Sequence, residues 1–90
     1  MYSLTTTNRF NKSLKLCKKR GYDLSLLQIV IDLLLVDGKL PNQYKPHKLS
    51  GNYKDCWECH IKPGWLLVWK QNDTELILLL LDTGTHSDLF

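Results

Sequence analysis

The stretch that decides the fold runs from Asp55-Cys56-Trp57-Glu58-Cys59-His60-Ile61 through Lys62-Pro63-Gly64 to Trp65-Leu66-Leu67-Val68-Trp69-Lys70, and on through Gln71-Asn72-Asp73 to Glu75-Leu76-Ile77-Leu78-Leu79-Leu80-Leu81. The first piece alternates. Trp57, Cys59 and Ile61 fall on one side of an extended chain and Cys56, Glu58 and His60 on the other, the two-residue period of a strand. Pro63 fixes φ and Gly64 accepts unusual backbone angles, so Lys62-Pro63-Gly64 reads as a turn. Trp65–Lys70 is then the return strand and Glu75–Leu81 a third. Six successive apolar positions, Leu76 to Leu81, suit a central strand covered on both faces.

Working back towards the N-terminus, residues 39–53 contain Pro41, Pro46 and Gly51 and read as a loop. Before it, Leu26, Leu27, Ile29, Val30, Ile31, Leu33 and Val36 form an apolar helix entered at Asp23 or Ser25 and closed at Gly38. Its polar residues Ser25, Gln28 and Asp32 make one narrow stripe, which predicts that most of its circumference is buried. An earlier helix starts near Asn8, buries Phe10, Leu14 and Cys17 at i, i+4 and i+7, and ends at Gly21. Residues 2–6 have the aromatic and β-branched composition of a short strand. The order β-α-α-β-β-β predicts one α+β domain over residues 1–90, a helical hairpin packed on a small, largely antiparallel four-stranded sheet. Asp82 to Phe90 reads as a polar tail.

Ninety residues leave room for one core, and 43% apolar with 23% charged residues excludes a disordered chain. Charge is uneven. Residues 1–54 carry ten cations against three acids, a net +7, and residues 55–90 two against six, a net −4. A basic half points to a polyanionic or acidic partner. Lys12, Lys15, Lys18 and Lys19 on the first helix are most simply a solvated face. The longest apolar run is far short of the ~18 residues that span a bilayer. With three cysteines that cannot all pair and no secretory pattern at the start, the expectation is a cytoplasmic protein with no membrane partner.

Cys56-Trp57-Glu58-Cys59-His60 matches the C-x-x-C-H haem pattern, but strand residues three apart face opposite sides and cannot serve one porphyrin. Paired zinc-ligand spacing is also missing, so no metal or cofactor is expected. Trp57, Trp65 and Trp69 share a face of paired strands and read as core. His47, His60 and His86 are each consistent with a surface histidine, and spacing does not bring them together. Phe90, after a polar tail, anchors the tail or stacks on a base; pattern favours the anchor.

Four pieces in order carry a resemblance: His47-Lys48-Leu49-Ser50-Gly51-Asn52-Tyr53-Lys54; Glu58-Cys59-His60-Ile61-Lys62-Pro63; Leu66-Leu67-Val68; and Thr83-Gly84-Thr85-His86-Ser87-Asp88-Leu89-Phe90. Over residues 44–90 the chain resembles the YafQ-like toxins of the RelE superfamily. The resemblance implies the toxin half of a bacterial type II toxin–antitoxin pair. Such a toxin is an mRNA endoribonuclease without a metal cofactor that acts in the ribosomal A site, stops translation and is silenced by an acidic antitoxin. His47, His60 and His86 match active-site histidines of the family, and Phe90 a terminal aromatic that stacks on a base. Glu58 shares the strand face of His60 and either orients it or acts as base. Histidine titrates near neutrality and serves as acid or base in RNA cleavage by the 2′-hydroxyl, and His86 fills one of those roles.

Two positions depart from the family pattern. Gly64 stands where many members have aspartate, and Asp82 where arginine is usual. A carboxylate beside a scissile phosphate raises the barrier, so the expectation is weakened cleavage that Asp82→Arg restores, with Lys45, Lys48 and Lys54 as the remaining RNA-binding cations. The alternative is a non-catalytic member that binds RNA or antitoxin and cuts nothing.

Overall fold

The computed structural model describes all residues from Met1 to Phe90. Eight regular elements follow in the order β1 (Ser3–Thr6), α1 (Asn8–Lys19), α2 (Leu24–Asp37), β2 (His47–Lys48), β3 (Trp57–Lys62), β4 (Trp65–Asn72), β5 (Ile77–Gly84) and α3 (His86–Leu89). The sheet has five strands in the order β1-β5-β4-β3-β2, all antiparallel except β1, which runs parallel to β5. The expected four strands are therefore one short. The extra strand is the two-residue β2, from the segment read as loop, which also holds single 3-10 turns at Asn42–Tyr44 and Gly51–Tyr53.

Both helices begin on side-chain caps. Thr7 Oγ1 accepts from the Phe10 amide at 3.0 Å, and Asp23 Oδ1 accepts from the Ser25 amide at 3.0 Å, each satisfying a donor the first turn leaves free. The helical hairpin covers one face of the sheet. Phe10 and Cys17 of α1 and Leu27, Val30, Ile31 and Leu34 of α2 meet Cys59, Ile61, Trp65, Leu67, Trp69, Leu78 and Leu80. Trp57 stacks on Trp69 at a centroid distance of 6.1 Å, as paired same-face aromatics do. The buried Trp65 indole donates to Thr83 Oγ1 at 2.9 Å, and that hydroxyl donates to the Leu66 carbonyl at 2.7 Å. Cys59 is a small buried hydrophobe, and burial pushes its thiol up to about 12.

Three sequence expectations need correction. α2 is less buried than its narrow polar stripe suggests, with Ile29 48% and Val36 63% exposed, because one sheet face covers only one side of a helix. β5 starts at Ile77 and continues to Gly84, so Asp82, Thr83 and Gly84 are buried strand residues and not a tail. The tail's anchor is Leu89, which packs with Cys56, Leu66 and Val68 on the second sheet face, while Phe90 is 54% exposed.

Candidate active site

Strand register sets His47, Glu58, Val68 and Asp82 in one row across β2, β3, β4 and β5. His60, Leu66 and Gly84 form the next row. Residues two apart on a strand share a face, as do cross-strand partners, and a bulge in β5 between Leu80 and Asp82 turns Asp82 off the core face of Leu80, so His47, Glu58, His60 and Asp82 all belong to the face opposite the hairpin's core. Strands lie about 4.8 Å apart, which places Asp82 about 14 Å along the row from His47.

Glu58 is buried, only 3% exposed, in the middle of this face. His47 Nδ1 lies 2.8 Å from the Lys45 carbonyl, which only accepts, so that nitrogen donates. Its Nε2 faces Glu58 Oε1 at 3.2 Å. The carbonyl thus fixes the ring through Nδ1, and Nε2 pairs with Glu58 when the ring is charged. Glu58 Oε2 is buried with no hydrogen-bond partner, a costly state for a carboxylate that a purely structural residue has no reason to keep. The His60 ring is centred 6.3 Å from that of His47. Its Nδ1 makes a long 3.4 Å contact with the Pro63 carbonyl.

The predicted cations divide. Lys45 shares a cleft of about 240 Å³ with His60, Lys62 and Pro63. Lys48 instead lies over the Trp57 ring, 5.6 Å from its centroid, on the side away from His47, because neighbouring strand residues face opposite ways. Lys54 is exposed after the 3-10 turn at Gly51–Tyr53. Gly64 is an exposed turn residue with nothing within 4 Å of where a Cβ would stand.

His86 and Phe90 are held by α3, a single turn too short to stand alone. Thr85 and Asp88 form a capping box, the Thr85 amide donating to Asp88 Oδ2 at 2.8 Å. Arg20, at the end of α1, grips Asp88 with both terminal nitrogens, at 2.6 and 3.0 Å. That guanidinium, with the Thr85 amide, holds the Asp88 carboxyl well below the usual carboxylate range. The His86 ring sits 5.8 Å from Phe90, and Phe90 meets the Tyr53 ring edge-on at 5.0 Å.

Asp82 is not a bare carboxylate. β1 stops opposite Leu80, and α1 begins where β5 loses its outer neighbour. Arg9 Nε donates to Asp82 Oδ2 at 2.7 Å, and Ser13 Oγ and the Thr83 amide donate to Oδ1 at 2.5 and 2.8 Å. Arg9, Asp82, Tyr53, Leu89 and Phe90 line a cleft of about 230 Å³. The roles of Arg9, Arg20 and Tyr53 escape a reading of the sequence, since each acts only through partners distant along the chain.

With this geometry in place, the kinship of the chain is direct. Residues 2–90 match the family model described as the bacterial toxin of a type II toxin–antitoxin system, YafQ. The chain belongs to the YafQ family. The mRNA interferase toxin YafQ of Escherichia coli strain K12 is 35% identical over 85 residues, covering 93% of this chain and 90% of the relative. A crystal structure of a metal-bound toxin from Helicobacter pylori superposes with a TM-score of 0.91 at 42% identity, covering all of both chains. YafQ in the E. coli DinJ–YafQ complex superposes at 0.90 with 33% identity, covering 100% of this chain and 99% of that one. The YafQ relationship spans the whole sheet and both helices, so the β-α-α-β-β-β reading and the RelE-like class stand, with one strand added.

Proposed function

We propose that this chain is an mRNA endoribonuclease that cuts messages on translating ribosomes and is silenced by an acidic antitoxin. Support comes from YafQ-family membership, from the relatives named mRNA interferase and from the YafQ relative solved with DinJ. The observation that carries the chemistry is the fixed His47–Glu58 contact beside His60 on an open sheet face. Because Nδ1 of His47 is held by the Lys45 carbonyl and Nε2 faces Glu58, His47 and Glu58 form the polar floor of the site and the proton transfers fall to His60 and His86. His60 presents Nε2 with Nδ1 turned to the Pro63 carbonyl, so Nε2 carries the lone pair that takes the 2′-hydroxyl proton. His86 protonates the departing 5′-oxygen, and Phe90 beside it stacks on the base. Lys45 supplies positive charge next to His60. Every role is filled by a side chain, so the reaction on this reading calls for no metal or other cofactor. The net +7 of residues 1–54 suits both a ribosomal setting and an acidic, foldable antitoxin.

Single-turnover cleavage tests the assignment. His60→Ala and His86→Ala should each slow cutting about 10²- to 10⁴-fold with unchanged circular dichroism. His60→Ala should also remove the acidic limb of the pH–rate profile, and His86→Ala the basic limb. Unchanged rates in both variants contradict the assignment. A wild-type protein that is folded, binds RNA and leaves it intact is a binder and not a nuclease.

A further inference from the structure

Two arginines of α1 and the residue after it meet aspartates near the candidate site, and they do so differently. Arg20 grips Asp88 with both terminal nitrogens and its side chain is 35% exposed, the closed fork of a structural ion pair. Arg9 meets Asp82 through Nε alone, and its side chain is 63% exposed against 9% for Asp82. No hydrogen bond engages either terminal nitrogen of Arg9 within the chain. The carboxylate, by contrast, is fully used, with Ser13 and Thr83 closing its other oxygen. A guanidinium anchored by its inner nitrogen presents its outer fork in a fixed direction, at low entropic cost, and a fork of that shape matches two oxygens of a phosphate. The cleft that Arg9 enters is otherwise lined mostly by apolar and aromatic groups, among them Tyr53, Leu89 and the exposed Phe90.

We propose that Arg9 is a phosphate-binding residue of this protein, held in place by Asp82, and that Arg9 and Phe90 together grip one nucleotide of the RNA, phosphate on the guanidinium and base on the ring. The proposal rests on the reading of the chain as an RNA-cutting toxin and names a part of that same site. It also changes the meaning of Asp82. Sequence reasoning treats this carboxylate as a repulsive charge to be removed; here it is the positioning residue that aims a cation supplied from α1. Asp82→Arg, expected from sequence to restore activity, then sets a second guanidinium against Arg9 and lowers cleavage.

The test is the salt dependence of binding of a short fluorescent single-stranded RNA, measured by anisotropy, alongside cleavage of an mRNA by the same preparations. Each phosphate contact on a single strand contributes about −0.7 to the slope of log K against log salt. Arg9→Gln should weaken binding and make the slope shallower by about 0.7. The double variant Arg9→Gln/Asp82→Asn leaves no uncompensated buried carboxylate and should show the same change, which keeps the test open if the single variant folds poorly. Asp82→Asn alone should lower kcat/KM and make the slope shallower by no more than about 0.7, since the charge stays while its aim on the phosphate is lost. A merely structural pair moves the unfolding midpoint and leaves the slope alone; that outcome in the double variant overturns the proposal. Should wild type bind RNA without cutting it, the nuclease reading fails while the slope still decides the role of Arg9. Should wild type show no salt-dependent binding, both fall.

Discussion

Replacing Gly84 by alanine should release α3 from the sheet and leave the sheet standing. Gly84 has φ +151°, and a Cβ built there meets Asp88 Oδ2 at 2.7 Å and Asp88 Cβ at 3.0 Å. Backbone in that region costs a side-chain-bearing residue about 1–3 kcal/mol, and pushing Asp88 out of its capping box forfeits about 1 kcal/mol more. The total, about 2–4 kcal/mol, falls on an element held by the buried Leu89, the Arg20–Asp88 pair and the Tyr53 hydroxyl, which donates to the Leu89 carbonyl at 3.2 Å. Leu89 is buried, worth about 2 kcal/mol, and the partly exposed Arg20–Asp88 pair adds about 1. The penalty matches what docks α3, so undocking relieves it, and global stability falls by no more than about 3 kcal/mol. Amide exchange reads this directly, because the Leu89 and Phe90 amides donate to the Thr85 and His86 carbonyls only while the turn is intact. Those amides should lose protection while β4 and β5 keep theirs. Cleavage should drop about 10²-fold, the usual cost of misplacing a group by an ångström. A variant whose α3 amides stay protected and which cuts at the wild-type rate refutes the reasoning.

Thr83→Val leaves the buried Trp65 indole without its acceptor and should lower unfolding free energy in urea by about 1–3 kcal/mol. Glu58→Met removes a buried carboxylate with an unpartnered oxygen, so stability should hold or rise by about 1 kcal/mol while cleavage falls, because His47 loses its anchor; a loss of stability contradicts this. Asp88, held by Arg20, has a carboxyl depressed below its unfolded value. Its stabilisation is therefore complete above about pH 5 and lost as pH falls below the unfolded carboxylate range near 4. Urea midpoints should be level from pH 7 to 5 and decline below, and Asp88→Asn should flatten that decline.

The hairpin of β3 and β4 was legible because alternation is a local property: Trp57, Cys59 and Ile61 against Glu58 and His60 separates core from site without reference to any other part of the chain. The two-residue β2 carries no period, and prolines at 41 and 46 hide it. Asp82 ended the apolar run and so looked like the start of a tail. Its pairing with Val68 keeps it in the strand, and a pair of donors, Arg9 and Ser13, 73 and 69 positions away, lets its carboxylate be buried there. Similarly, adjacent Leu89 and Phe90 cannot both point inward from one short turn, and choosing Leu89 depends on the hydrophobic cluster beneath it. The histidines were named through family resemblance. The grouping of His47 and His60 on one face follows from strand register, a pairing between segments that a single sequence does not display, while His86 is carried by α3.

The central claim is that this sheet face cuts mRNA by attack of the 2′-hydroxyl, and the most direct test maps the ends that the purified chain creates in a reconstituted bacterial translation system. New 5′ ends inside translated codons, carrying hydroxyls and absent with His86→Ala, are the predicted result. An intact message, or cuts that leave 5′-phosphates, would contradict it.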